Sequence, residues 1–176
     1  MTEKIAPFAR GFPPIALPDA EVLILGSLPG RKSIEMQQYY AQPQNVFWRI
    51  MGALCGAGPE LDYGARAHKL RASRIAVWDV LAAGERRGSL DSAIVTSTIV
   101  VNDFARFFKR HGRIGIICFN GRKAAELYRR WVTPTLPKSF AALEARHLPS
   151  TSPAHAGRSY EEKLALWREA LGDRLR

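Results

Sequence analysis

The stretch Val22-Leu23-Ile24-Leu25-Gly26-Ser27-Leu28-Pro29-Gly30 decides the fold, because four apolar residues run on without a polar partner and are halted by a glycine and a Pro-Gly turn. A short continuous apolar run of this kind is the pattern of a strand covered on both faces, as in a parallel sheet between helices. Outward from it, Val46, Phe47, Ile50, Met51 and Leu54 recur at helical spacing until Gly56, and a second helical stretch runs from Tyr63 to Leu70. Ile75-Ala76-Val77-Trp78 is a second short strand, closed by Asp79. Asn102-Asp103 caps a helix carrying Phe104, Phe107 and Phe108, and Ile114 to Phe119 forms a third strand. Asn120-Gly121 leads into a helix from Lys123 to Val132, and a fourth strand is expected between Ala141 and His147. Ser159 caps a last helix with Tyr160, Leu164, Trp167 and Leu171 on one stripe. This order predicts an α/β fold: a single three-layer α/β/α domain on a central, mainly parallel four-stranded sheet. Residues 1–18, with Pro7, Pro13, Pro14 and Pro18, read as a proline-rich N-terminal arm, and residues 19–176 as the single domain.

With 176 residues, 47% of them hydrophobic and 24% charged, the chain fits one compact domain that needs neither disulfides nor metal to complete its core. No run reaches the ~18–20 apolar residues of a membrane span, and Met-Thr-Glu-Lys does not open a signal peptide, so a soluble, cytoplasmic and monomeric protein is expected. Cys55 and Cys118 sit in apolar stretches as small hydrophobes, with no zinc spacing between them. The 26 Lys+Arg against 16 Asp+Glu give a net charge of +10, which favours a polyanionic partner, nucleic acid first.

In an open parallel sheet ligands sit at the carboxyl ends of the strands, and the polar residues worth explaining all fall there. Ser27 to Ser33 and Asn45 follow strand one, Asp79 ends strand two, Asn120-Gly121 follows strand three, and Pro149 to Pro153 follows strand four. Gly26 and Gly30 let backbone approach a ligand closely, though a Pro-Gly turn needs no function. Gly-Ser-Leu-Pro-Gly lacks the spacing of a dinucleotide or P-loop fingerprint, so no nucleotide cofactor is expected.

Gly26-Ser27-Leu28-Pro29-Gly30 with Ser33, then Pro43-x-Asn45-x-Phe47-Trp48 after Tyr39-Tyr40, and Leu148-Pro149-Ser150-Thr151-Ser152-Pro153-Ala154 near the other end, together resemble the two signatures of the uracil-DNA glycosylase superfamily. The nearest pattern is that of its hypoxanthine-DNA (deoxyinosine) glycosylases. One departure bears on the branch: mismatch-specific members carry a water-positioning asparagine directly before the first motif's proline, where Leu28 stands, and the hypoxanthine branch takes that residue from the Asn-x-Phe-Trp segment, here Asn45.

The resemblance implies a monofunctional glycosylase that flips a deaminated base out of damaged DNA and cleaves its glycosidic bond with water, needing no cofactor and no metal. Asn45 would orient the water, although an Asn before a helix also caps it. Phe47 would stack on the base. Gly26, Ser27 and Leu28 would present backbone to it, and Asp79 would accept from hypoxanthine N1–H or uracil N3–H, or else cap a turn. Ser33, Ser150, Thr151 and Ser152 would grip phosphates, with Arg31, Lys32 and Arg158 on a basic rim. Asn120, His147, His155, Tyr39 and Tyr40 are further candidates, with Asn120-Gly121 first of all a turn. A uracil-preferring mismatch glycosylase is the rival enzyme, and a catalytically silent DNA- or nucleotide-binding module on the same fold the rival of another class.

Overall fold

The computed structural model describes residues 8–175. In chain order the elements are β1 (Phe8–Arg10), β2 (Val22–Gly26), α1 (Arg31–Met36), α2 (Phe47–Cys55), α3 (Tyr63–Ala72), β3 (Ile75–Asp79), β4 (Leu81–Glu85), β5 (Val100–Val101), α4 (Phe104–Arg110), β6 (Ile116–Asn120), α5 (Arg122–Leu127), α6 (Lys138–Ala141), β7 (Glu144–Leu148) and α7 (Tyr160–Leu171). The main sheet has the order β3-β2-β6-β7 and every pairing in it is parallel. β2 and β3 are buried along their whole length, which is why their sequences are unbroken apolar runs.

Register explains the layers. Leu25 pairs with both Trp78 and Phe119, so these side chains share one face, where Trp78 packs on Phe104 and Phe107 of α4 and Phe119 on Tyr128 after α5. One residue further on, Gly26 pairs with Asp79, and Asn120 pairs with Leu148. This last row turns toward α2 and α7, whose Phe47 and Trp167 rings meet edge to face at 6.1 Å. The four-stranded parallel sheet between helices is the fold class the sequence predicts.

Helix ends follow their local chemistry. α2 stops at Gly56, whose φ of +73° closes the turn in the left-handed region. Asp103 accepts from the Arg106 amide, and Ser159 forms a full capping box with Glu162. The fourth strand lies slightly later than expected, because α6 occupies Lys138–Ala141.

Two parts differ from the sequence reading. The proline-rich stretch is no free arm where the structure describes it: β1 pairs antiparallel with β4, Ile15 exchanges backbone hydrogen bonds with Val77, and Ala9 and Ile15 are buried. The Phe12 carbonyl accepts from the Trp78 indole and from the Tyr39 hydroxyl. Prolines keep this segment extended, and extended backbone is what a sheet edge accepts. Residues 1–7, Pro7 among them, lie outside the described part. Residues 81–101, where the sequence reading placed no element, form the rest of a second, three-stranded antiparallel sheet of order β1-β4-β5. Among the described residues no helix is long and apolar enough to cross a membrane.

Trp167 joins these layers to the loop after β7: it is fully buried, and its indole N–H donates to the Pro149 carbonyl at 3.0 Å. Trp167→Ala is expected to cost about 3–5 kcal/mol in chemical denaturation, the range for emptying a buried large aromatic site. A loss below about 1 kcal/mol would show that α7 is not docked through this residue.

Candidate active site

The carboxyl ends of β2, β3 and β6 open onto a cleft of about 430 Å³, lined from the first motif by residues 26–30, from the second by residues 150–155, and between them by Tyr40, Asn45, Asp79 and Asn120. Its floor depends on Gly26 having no side chain. A Cβ there would lie 2.5 Å from Asp79 Oδ1 and 3.0 Å from Tyr40 Oη, so glycine is what lets both groups close over the strand end. The Asp79 side chain is buried and its Oδ2 has no hydrogen-bond partner in the chain. Burial, reinforced by the negative charge of Asp91 and only partly opposed by Arg86, pushes its carboxyl up to about 7. Tyr40 Oη likewise makes no hydrogen bond of normal geometry, and burial and the Asp79 charge push that phenol up against a lowering influence of the nearby Asn120 side chain. Two unsatisfied polar groups meeting beside one cleft are what a bound polar edge would satisfy.

Asn45 stands at the entrance to α2. Its Oδ1 accepts from the Phe47 amide at 3.0 Å, so the side chain closes an Asx-type turn while it lines the cleft. The next residue ties the two motifs together: the Val46 amide donates to the Thr151 carbonyl at 3.1 Å. Asn120 does the same from β6. Its Nδ2 donates to Thr151 Oγ1 and its Oδ1 accepts from the Thr151 amide, both at 2.9 Å, so Asn120 is a two-point latch and more than a turn residue. Gly121, at φ +94°, packs so closely that a Cβ would sit 3.0 Å from Ser150 Cβ. The second motif is therefore held by strand, helix and latch together.

Several expectations are corrected. Phe47 does not face the cleft. It is fully buried, stacked on Tyr40 at 4.0 Å and edge-on to Trp48, because the first turn of α2 turns it inward; the aromatic ring that lines the cleft belongs to Tyr40. Tyr39 also borders the cleft, but its hydroxyl is spent on the Phe12 and Pro13 carbonyls. Thr151 and Ser33 line the cleft but are buried, Thr151 Oγ1 accepting from Asn120 Nδ2 and Ser33 Oγ from the Ala41 amide, so each keeps only its hydroxyl proton to donate. Ser150 and Ser152 remain on the cleft wall, their oxygens accepting from Ser152 and Ala154 amides and their hydroxyl protons left to donate. Lys32 and His155 line the cleft, and Leu28 points mainly into the core. Arg31 is exposed and paired with Glu35 outside it. His147 and Arg158 lie in a neighbouring groove of about 1070 Å³ that shares Ser150 and His155 with the cleft.

Sequence reasoning missed one wall. Ser89, Leu90 and Asp91 line the cleft, carried by Arg86, which is 2% exposed and donates to the Leu28, Pro29 and Gly88 carbonyls. Asp91 Oδ1 accepts from Ser27 Oγ at 2.6 Å and lies 3.7 Å from Arg86. An Arg-Arg pair in a stretch without period reads as solvated charge, and no spacing marks it as buried. Among the described residues no group of three or more His, Cys, Asp or Glu is placed to hold a metal ion.

The Asp79 carboxyl keeps its proton to about pH 7 when folded, whereas its ordinary value is 3.8. The folded state thus binds more protons in that window, and stability falls as pH rises across it. Asp79→Asn is expected to remove that slope, with equal stability near pH 4 and an advantage on the order of 3 kcal/mol for the variant at pH 8. Urea denaturation across this range checks it, and parallel pH profiles for the two proteins would refute the assignment.

Comparison with known proteins identifies the family. The chain matches the uracil DNA glycosylase superfamily over residues 13–173. A Methanosarcina acetivorans protein named hypoxanthine DNA glycosylase is 45% identical over 76% of this chain and 87% of its own length. A Methanosarcina barkeri protein of the same name is 36% identical over 92% of this chain and 97% of its own. The solution NMR structure of a Methanosarcina acetivorans protein described as a candidate uracil DNA glycosylase superposes with a TM-score of 0.73 at 38% identity, covering 93% of this chain and 98% of that one. With both motifs at one cleft and the match running through nearly the whole described chain, this protein belongs to the uracil DNA glycosylase superfamily.

Proposed function

We propose that the protein is a monofunctional DNA glycosylase of base excision repair that hydrolyses the glycosidic bond of a deaminated base, hypoxanthine in deoxyinosine with uracil as the second candidate, acting as a monomer without cofactor or metal. The observation that carries this reading is the convergence of the Asn45 amide and the buried, unpartnered Asp79 carboxyl on one cleft, in a chain whose relatives are named hypoxanthine DNA glycosylase.

The chemistry asks for little more. A flipped nucleotide brings the base to the cleft floor, and the cost of unstacking and unpairing is smallest for a mispaired or damaged base. Ionised, Asp79 accepts from hypoxanthine N1–H, a donor that adenine lacks at that position; uracil N3–H presents the same donor. The Tyr40 ring gives the base an aromatic wall. Water attacks the sugar carbon as the bond opens, and Asn45 holds that water through its amide without acting as a base. Ser150, Ser152 and Lys32 meet backbone phosphates at the cleft, and Arg158 and His155 extend the contact along the neighbouring groove.

A catalytically silent binding module is the second reading, and one observation favours it: Asn45 Oδ1 already serves the Phe47 amide. Asn45→Ala separates the two. Single-turnover excision from an inosine-containing duplex is expected to fall about 10²-fold or more with DNA affinity nearly kept. A cap alone predicts about 1 kcal/mol of lost stability and unaltered excision. In the same assay the wild-type rate is expected to rise with pH through about 7 as Asp79 ionises, and a rate that falls instead would make the protonated carboxyl, as donor, the working form.

A further inference from the structure

The sheet face that carries Phe119 is left open at its β7 edge. Ile117 pairs with Ala145 and Phe119 with His147, and both β7 residues stay exposed. A cavity of about 560 Å³ lies there, within the size range of small-ligand sites, and it shares no lining residue with the catalytic cleft. Three aromatic rings line it: Phe119 from the sheet, Phe140 from α6, and Tyr128 from the π-helical turn Tyr128–Val132 that follows α5. Turns of this wide kind are rare and are found mostly at functional sites.

Two features define what the cavity suits. Tyr128 is only 6% exposed, and its Oη has no hydrogen-bond partner in the chain. A buried hydroxyl without a partner is unfavourable, and a ligand with a polar ring edge would satisfy it. The exposed part of the lining is cationic: it holds Arg122, Arg129 and His147. Glu126 is the single acid of the lining and is paired with Lys123 at 3.4 Å, whereas neither arginine has an ion-pair partner among the described residues. An alkyl chain would use the apolar walls and leave the hydroxyl and both guanidinium groups idle. A nucleobase carrying a phosphate uses all three, the ring on the aromatic walls and the phosphate on the arginines.

We propose that this cavity is a second binding site, for a nucleoside monophosphate, with Tyr128 Oη meeting the base and Arg122 and Arg129 the phosphate. Arg122 and His147 also line the groove beside the catalytic cleft. A nucleotide held in the cavity occupies side chains that DNA following the groove would contact, so each ligand weakens the other by the same factor. Free nucleotide thereby loosens the hold of the protein on DNA. This competition rests on the glycosylase reading; the binding of nucleotide to the cavity does not.

The probe is adenosine monophosphate, whose base lacks the ring N–H that Asp79 would accept in the cleft, with adenosine as its phosphate-free counterpart, each titrated calorimetrically into the full-length protein. The monophosphate is expected to bind about tenfold more tightly than adenosine. Tyr128→Phe, which removes only the unpartnered hydroxyl, is expected to weaken it about fivefold without lowering the thermal midpoint. Arg129→Ala is expected to bring it close to the level of adenosine, and saturating lesion-free duplex to weaken it severalfold. Absence of binding, or binding that neither Tyr128→Phe nor Arg129→Ala alters, overturns the site, and so does binding that is lost on Asp79→Asn instead, which would place the nucleotide in the cleft. Affinity that duplex leaves unaltered overturns the competition. Wild-type protein that fails to excise inosine would overturn the glycosylase reading, and the titrations without DNA would still decide the cavity.

Discussion

A carboxyl group ends a strand that is otherwise sealed on both faces, and the site is arranged around that constraint. Asp79 is placed by register: β3 pairs with β2 residue by residue, so its last position falls beside Gly26, and only the missing Cβ leaves room for it. Burying a carboxyl without a partner is unfavourable by several kcal/mol if it is charged, and the group escapes by holding its proton. The structure tolerates an acid near neutrality at its centre because the strands beneath it are packed without polar interruption. A site that stores an unsatisfied carboxyl is one whose energy improves when a ligand donor arrives.

Arg86 imposes the matching constraint on the opposite charge. A guanidinium that is almost wholly buried needs acceptors for its donors, and it finds them in the Leu28, Pro29 and Gly88 carbonyls, with Asp91 close by. These are carbonyls of the first motif and of the rim, so charge-assisted hydrogen bonds fasten the second sheet to the cleft in addition to the core packing of Ala9, Leu81 and Ile94. Removing Arg86 would leave buried carbonyls unsatisfied and free the segment that carries Leu90 and Asp91. The antiparallel sheet is therefore a support for one wall of the cleft.

Much of this is legible in the sequence, and the boundary is physical. Strands buried on both faces announce themselves as apolar runs, and helices announce their stripes and caps, so Val22–Gly26, Ile75–Asp79 and the Ser159 cap read correctly. The loops at the strand ends read correctly because parallel topology forces them together. What did not read was direction and partnership. Phe47 lies two residues from Asn45 in the motif, yet the helix turns it into the core and leaves Tyr40 on the cleft. Thr151 and Ser33 look like free hydroxyls in sequence and are committed to Asn120 and Ala41 in space. The 81–101 segment has neither a period nor a cap that a pattern could find, since its order comes from long-range bonds to Ser27, Leu28 and β1.

The two readings of Asn45 then turn out to be less opposed than they look in sequence. An amide oxygen has two lone pairs, and the Phe47 amide takes one of them. That bond leaves a second lone pair and two Nδ2 protons on a residue that lines the cleft, and it fixes the plane in which they lie. A free asparagine at a cleft rim would sample several rotamers and would lose side-chain entropy on ordering a water. One tied to the start of α2 has lost that freedom on folding, and α2 is itself held through Val46 to Thr151 and so to Asn120 and the end of β6. Under the proposed mechanism the cap is how the scaffold preorganises the amide: the same hydrogen bond that begins the helix would set the geometry in which a water is held over a flipped nucleotide.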